Sequence, residues 1–305
     1  NLNRGCAIEA VAFYTDPDEG APFVLLADDA VHLGPALCPD SQGNLVSAYC
    51  DQERLLVELA KAGCDAVWPG WGFLSEDPTW VAKLEDAEIT FIGPASAAIE
   101  RLGDKIASKQ LAERADVPLA PWHLLEETMS SDALRKAGEA VGYPLMVKAS
   151  AGGGGRGIRK VSTPEDLEDA VASVRIEVQR SFGQGGIFIE SCVVGARHIE
   201  IQFVGCPDGS AIALGARDCS IQRRNQKVIE ESPSAILPDA MEARLCGATQ
   251  RLAEAARYIG VGTAEYLYEP RSGHATFLEV NARLQVEHTV TEVVFGCDLV
   301  EAQLD

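Results

Sequence analysis

Glu279-Val280-Asn281-Ala282-Arg283-Leu284-Gln285-Val286-Glu287-His288 alternates polar and apolar residues without a break from Glu279 to Glu287. In extended backbone successive side chains point to opposite faces. Glu279, Asn281, Arg283, Gln285 and Glu287 therefore share one face, and Val280, Ala282, Leu284 and Val286 the other. Just upstream, the apolar run Gly262 to Tyr268 carries Glu265, and Pro270-Arg271-Ser272-Gly273 joins it to a second run, Ala275 to Val280. The two runs read as paired strands, with Glu265 on the first and Glu279 on the second. A solvated strand face is the plain alternative, but such a face rarely spends an Asn, an Arg, a Gln and two Glu in one line beside another Glu-bearing strand. Two carboxylates and an amide oxygen are hard ligands of the kind Mg²⁺ shares with nucleotide phosphates, so Glu265, Glu279 and Asn281 form a candidate metal set. Arg283, Gln285 and Glu287 continue beyond the metal towards a second substrate.

Upstream, Leu145-Met146-Val147-Lys148, the loop Gly152-Gly153-Gly154-Gly155-Arg156-Gly157 and the run Ile158 to Val161 read as strand, glycine loop and strand. Ile187-Phe188-Ile189-Glu190 is another short buried strand. Glycine enrichment alone would indicate a flexible linker. However, glycines without Cβ let backbone N–H groups close on phosphate oxygens, and Lys148 ends the preceding strand within reach of the same charges. A phosphate lid is the better reading. The spacing does not match Gly-x-x-x-x-Gly-Lys-Ser/Thr, and no helix opens directly after the loop, which disfavours a Walker-type site. A third cluster, Arg217-Asp218-Cys219-Ser220-Ile221-Gln222-Arg223-Arg224-Asn225-Gln226-Lys227, gathers four basic residues. A solvated basic turn and an anion site both fit it, and the acidity of the rest of the chain favours the anion site.

The first hundred residues alternate apolar runs with helical patterns: Ala7 to Tyr14, helix-like Gln52 to Ala62, Ala66 to Pro69, helix-like Thr79 to Asp86, and Ile89 to Ile92. This predicts an α/β unit with a parallel sheet. The turns Pro69-Gly70-Trp71-Gly72 and Gly93-Pro94 follow strands, where ligand loops and ordinary strand-end turns both occur. Asn3-Arg4-Gly5 runs almost directly into the first strand, whereas a parallel crossover needs about a dozen residues. A helix is therefore expected to be missing near Gly5-Cys6. Beyond a helix over Asp104 to Ala115, Pro118 and Pro121 predict a hinge into the lid. The last third adds strands at Ile199 to Val204 and Ala211 to Leu214 and a helix over Pro238 to Tyr258.

Composition sets the outer bounds. The 305 residues are 47% hydrophobic and 24% charged, enough for a sizeable core in a globular chain of more than one unit. Twenty-six basic against 46 acidic residues give a formal charge of −20, which argues against general attraction to nucleic acid or an anionic membrane. Nine cysteines, an odd number without a Cys-x-x-Cys pair, argue against a disulfide framework or zinc site and fit a reducing cytoplasm. No apolar run approaches the roughly 20 residues that span a bilayer.

Taken together, Asn3-Arg4-Gly5, Pro69-Gly70-Trp71-Gly72-Phe73-Leu74-Ser75-Glu76, Gly103-Asp104-Lys105, the glycine loop, Arg197-His198-Ile199-Glu200-Ile201-Gln202, the Arg217 to Lys227 cluster and Glu279 to His288 closely resemble biotin carboxylase. This is the ATP-grasp component of biotin-dependent carboxylases. The resemblance implies an α/β ATP-grasp fold with an N-terminal Rossmann-like parallel-sheet domain over 1–103 and a helical connection over 104–120. A mobile glycine-rich lid over 121–191 and a truncated C-terminal α+β subdomain over 192–305 complete it. By the same likeness Lys105, Lys148, Gly152, Gly153, Gly154, Gly155, Gly157 and Gln222 hold ATP, with Glu190 and His198 on the nucleoside. Lys227, Arg283, Gln285, the Val286 backbone and Glu287 match a bicarbonate site, where Glu287, Lys227 and Arg283 are the catalytic set and Glu287 the general base.

The implied reaction is a ligase's: carboxylation of biotin, a carried substrate, with ATP, bicarbonate and Mg²⁺ or Mn²⁺. A biotinylated carrier domain and a carboxyltransferase, in the same chain or as subunits, and a homo-oligomer are implied partners. Asp65-Ala66-Val67-Trp68, Gly70-Trp71-Gly72 and Val117-Pro118-Leu119-Ala120-Pro121-Trp122 resemble acyl-CoA carboxylases, which belong to fatty acid metabolism. A urea or pyruvate carboxylase, or a carbamoyl-phosphate-forming ligase, is the alternative. Asn225 stands where many biotin carboxylases have His and resembles the urea carboxylase branch, while Thr289 replaces a usual Pro. The resemblance also implies that an Arg completing the biotin chemistry lies beyond Asp305.

Overall fold

The computed structural model describes residues 8–39, 43–150, 157–181, 185–224 and 226–304. The Gly5-Cys6 junction, Gly152 to Gly155 and Asn225 lie outside the described residues.

The N-terminal third is built from short strands. β1 (Val11–Tyr14) pairs in parallel with β2 (Asp29–His32), β3 (Leu37–Pro39) pairs antiparallel with β4 (Leu45–Ser47), and β5 (Ala66–Val67) pairs in parallel with β6 (Thr90–Phe91). Helices α1 (Pro22–Leu26), α2 (Gln52–Ala62), α3 (Pro78–Asp86) and α4 (Ser96–Gly103) connect and flank them. Local chemistry sets the helix ends. Asp51 accepts from the Arg54 amide at the start of α2, and left-handed Gly63 (φ 68°) stops it. Asp77 accepts from the Thr79 and Trp80 amides ahead of α3, which opens on Pro78. Helix α5 (Lys105–Arg114) is capped by Asp104, which accepts from Ile106 and Ala107 and so fixes Lys105 at the first helical position.

The chain then enters a four-stranded antiparallel sheet: β7 (Trp122–Leu125), β8 (Leu145–Ala149), β9 (Ile158–Val161) and β10 (Ile187–Ser191), in the order β7-β10-β8-β9. Helices α6 (Ser131–Val141) and α7 (Leu167–Ser181) pack on it around a core of its own, with Leu134, Val141, Leu145, Val147, Leu167, Val174 and Ile189 buried. The last part is a five-stranded antiparallel sheet: β11 (Arg197–Gly205), β12 (Ala211–Arg223), β13 (Gln226–Glu231), β14 (Gly260–Glu269) and β15 (His274–Asn281), ordered β13-β12-β11-β14-β15. Helix α8 (Asp239–Ala256) packs against it, and α9 (His288–Phe295) and α10 (Leu299–Leu304) follow.

Ile201, Phe203, Leu252, Tyr266 and Phe277 from this sheet and its helix share one core with Trp80, Leu84 and Ile99 of the N-terminal third. Burying each of these side chains is worth about 1.5–3 kcal/mol, so the two parts stabilise one another. Among the described residues no helix is long and apolar enough to cross a membrane.

Two expectations change. The strand expected at Ala211 to Leu214 runs on to Arg223, so the basic cluster begins inside a strand and not on a turn. The second strand of the C-terminal pair stops at Asn281, and the alternating segment continues as irregular backbone into α9. The apolar side still alternates inward as far as Leu284; Val286 then turns out, 60% exposed.

Candidate active site

Strand register places four charged residues side by side. Arg217 on β12 lies opposite Glu200 on β11, Glu200 opposite Glu265 on β14, and Glu265 opposite Glu279 on β15. Directly opposed residues in an antiparallel sheet share a face, so this is a row across four strands with a cation at one end and three carboxylates following it. Like charges so placed repel, and the surroundings must answer for them.

Arg217 answers at one end. It is fully buried, donating from Nε and Nη2 to Glu200 Oε2 (3.3 and 3.1 Å), from Nη1 to Gln202 Oε1 (2.6 Å) and Thr291 Oγ1 (2.9 Å), and from Nη2 to Gln285 Oε1 (2.9 Å) and Thr263 Oγ1 (3.2 Å). The expected anion site is therefore internal at this residue: Arg217 is spent on a protein carboxylate. Lys227 answers in the middle. Its Nζ contacts Glu200 Oε1 and lies 3.1 Å from Glu265 Oε1 and 2.6 Å from Glu287 Oε1. Burial alone would lower the Lys227 pKa, but Glu265 and Glu200 outweigh it and hold the ammonium charged.

His198 Nε2 is 3.0 Å from Glu265 Oε2 and 3.3 Å from Glu200 Oε1. Burial disfavours its charge, yet the two carboxylates hold its pKa at about 9. Against burial, the same cations keep the Glu200 and Glu265 carboxyls below the ordinary range.

Glu279, at the far end of the row, goes the other way. Burial and the Glu265 charge push its carboxyl up, against the pull of Lys105 and Lys148. A divalent cation between Glu265 and Glu279 would reverse that, and the oxygen donors fit Mg²⁺. Asn281 sits beside them, Nδ2 donating to Glu265 Oε1 (2.7 Å) and Oδ1 accepting from Arg283 Nη2 (3.1 Å).

Arg283 donates from Nε to Glu76 Oε2 (2.8 Å), and Glu76 Oε1 accepts from the Ala282 amide (2.8 Å). Gln285 is buried between Arg217 and Glu265, donating weakly to the latter at 3.4 Å. Thus Asn281, Arg283, Gln285 and Glu287 do converge on the row although the strand ends first. Gln222 donates to the Cys219 carbonyl, and Cys219 is buried next to Glu200 with its thiol pKa driven up by burial.

On the four-stranded sheet Lys148 Nζ contacts Glu190 Oε1, and Lys109 Nζ lies 2.6 Å from Glu190 Oε2. Glu190 thus holds two lysines, which keep its carboxyl low despite burial. The Gly157 N–H donates to Glu177 Oε1 (3.0 Å), which ties the loop end to α7. Sequence reasoning assigned no role to Glu200, Glu76, Lys109, Gln202, Thr263 or Thr291. The signal for Glu200 was present, since it lies two residues from His198 on one strand and so shares its face.

A four-stranded sheet with its own helices, beside a five-stranded antiparallel sheet with carboxylates on neighbouring strands, defines the ATP-grasp class. The family described as carbamoyl-phosphate synthase L chain, ATP binding domain, matches residues 104–305, and biotin carboxylase, N-terminal domain, matches 3–99. The propionyl-CoA carboxylase alpha chain of Ruegeria pomeroyi is 42% identical over 99% of this chain and 43% of that protein. Urea amidolyase of Saccharomyces cerevisiae is 41% identical over 96% of this chain and 16% of its own length. The biotin carboxylase domain dimer of Hydrogenobacter thermophilus 2-oxoglutarate carboxylase, in complex with magnesium ADP, ADP and bicarbonate, superposes with a TM-score of 0.84 at 36% identity, over 97% of this chain and 63% of that one. The chain belongs to the biotin carboxylase family of ATP-grasp ligases. It spans less than two thirds of the length of these relatives.

Proposed function

We propose that the chain carboxylates biotin on a carrier domain, using ATP and bicarbonate by way of carboxyphosphate, as the first half-reaction of an acyl-CoA carboxylase. The observation that carries this is the convergence of Lys227 on Glu200, Glu265 and Glu287 within a cluster that also contains Arg283 and Gln285. A cation that joins a buried carboxylate pair to a less buried Glu is suited to hold an anion next to a base.

Glu287 takes the proton from bicarbonate, whose oxygen then bonds to the γ-phosphorus as the bond to the leaving ADP oxygen breaks. Lys227 and Arg283 face the carboxylate part, and Lys105 and Lys148 the phosphates, each offsetting charge that develops in transfer. Glu265, Glu279 and Asn281 would hold Mg²⁺ or Mn²⁺, which supplies charge neutralisation and orientation of the phosphates. Carboxyphosphate then splits into CO₂ and phosphate, the phosphate accepts the biotin ureido proton, and the freed nitrogen bonds to CO₂. The partners are a biotinylated carrier domain and a carboxyltransferase, in the same chain or as subunits, and the protein is a homo-oligomer. A reducing cytoplasm suits the eight described cysteines, all free.

The test is ATP hydrolysis dependent on bicarbonate and stimulated by free biotin. Glu287→Ala should lower it by at least about 100-fold, the size of a lost general base, while MgADP binding stays within twofold. Turnover indifferent to biotin would overturn the proposal in favour of a carbamoyl-phosphate-forming ligase, and full carboxylation by Glu287→Ala would overturn the role of that residue.

A further inference from the structure

We propose that Lys109 is a positioning residue for nucleotide binding, which shares Glu190 with Lys148 and so leaves Lys148 oriented but not neutralised. The inference rests on the nucleotide reading above and adds a residue to it. Lys109 lies on α5 one turn after Lys105, and residues four apart share a helix face. Its side chain is sealed, only 4% exposed. Nζ lies 2.6 Å from Glu190 Oε2 and 5.7 Å from the centre of the Phe188 ring. Phe188 and Glu190 are alternate residues of β10, so they face the same way. Phe188 is the cross-strand partner of Lys148, and Lys148 reaches Glu190 diagonally.

Burying an ammonium is costly unless it is paired, so a fold does not seal a lysine at this point without effect. With Lys148 alone on Glu190, the pair would sum to zero charge, and the carboxylate would compete with any phosphate for that lysine. Lys109 occupies the other carboxylate oxygen and cancels the Glu190 charge from behind. The trio keeps one net positive charge, and Lys148 is the more exposed of its two cations (side chain 16% against 4%). The same arrangement ties α5, which carries Lys105, to the lid strands β8 and β10, so the two lysines assigned to phosphates are set relative to one another through Glu190.

The measurement is MgADP affinity by calorimetry on the full chain for Lys109→Met, Lys109→Arg, Glu190→Gln and the Lys109→Met/Glu190→Gln double variant. Couplings between residues in one ion-pair network are commonly severalfold to a hundredfold, and Lys109→Met is expected to weaken MgADP about tenfold. Lys109→Arg should recover most of that. Lys109 acts through Glu190, so adding Lys109→Met to Glu190→Gln should change affinity by less than about twofold. The double variant also removes the uncompensated carboxylate, which keeps the comparison available if Lys109→Met alone fails to fold. Unchanged affinity in folded Lys109→Met overturns the proposal, as does an undiminished tenfold loss in the Glu190→Gln background. Failure of the unaltered protein to bind MgADP overturns the nucleotide reading itself, and the proposal with it.

Discussion

Replacing Arg217 with Met would remove the guanidinium while keeping an unbranched apolar side chain in its place, which isolates charge and hydrogen bonding from packing. Glu200 would lose the donors at 3.1 and 3.3 Å, and Gln202, Gln285, Thr263 and Thr291 would each lose one. Breaking a buried ion pair by removing one partner costs about 3–5 kcal/mol. The threonine hydroxyls can turn to other partners. Gln202 is fixed by its own donation to the Gly262 carbonyl, so its oxygen stays stranded, at about 1 kcal/mol more. The sum, roughly 5 kcal/mol, is comparable with the whole stability of a marginal domain. In a urea titration with a slope of about 3 kcal/mol per molar, the midpoint should fall by roughly 1.7 M. Arg217→Lys should recover only part of this, since one ammonium cannot reach five partners. A solvent-facing basic residue would cost no more than about 0.5 kcal/mol. A midpoint shift below roughly 0.2 M would therefore refute the internal-clamp reading and restore a surface role.

Two further outcomes follow from the same row. His198 is held at about 9 against an ordinary 6.5, because Glu200 and Glu265 outweigh burial. Its folded value lies above its unfolded one, so its contribution is fully present below pH 6.5 and is lost as pH rises through about 9. The gap caps that contribution at roughly 3 kcal/mol. His198→Asn should flatten the stability curve across this window, and an unchanged slope by pH-resolved thermal melts would contradict the assignment. Glu279→Gln should stabilise the protein in EDTA by about 0.5–1 kcal/mol, the size of a relieved like-charge cross-strand pair, and should reduce stabilisation by Mg²⁺ with ADP. A variant less stable than the parent in EDTA would count against the repulsion between Glu265 and Glu279.

Where local signals agree with tertiary structure, the sequence was readable. Helix α2 matches its expected bounds because Asp51 and Gly63 mark both ends. The β14–β15 hairpin was legible from two apolar runs around Pro270-Arg271-Ser272-Gly273, and Glu265 and Glu279 face one another in register. Strand β12 was truncated in the reading because Arg217 and Asp218, both buried, look like a turn until their partners on other strands are known. Helix α6 went unread for a different reason: its buried stripe is Leu134, Ala137, Gly138 and Val141, whose small residues give a weak periodic signal. Of the site, the polar face from Asn281 to Glu287 was visible in alternation alone. Glu76 was not assigned to it, because its contact with Arg283 spans 207 positions and no local pattern encodes a pairing at that distance.

That long-range contact bears on how the chain can be taken apart. A fragment starting at Asp104 would keep every group assigned to metal and phosphate, yet it would lack the carboxylate that holds both the Ala282 amide and the Arg283 guanidinium. It would retain the parts for nucleotide capture while losing the orientation of the arginine assigned to the second substrate. The N-terminal third thus behaves as a distant splint for a C-terminal side chain, and cutting the chain between them would uncouple two halves of one chemistry.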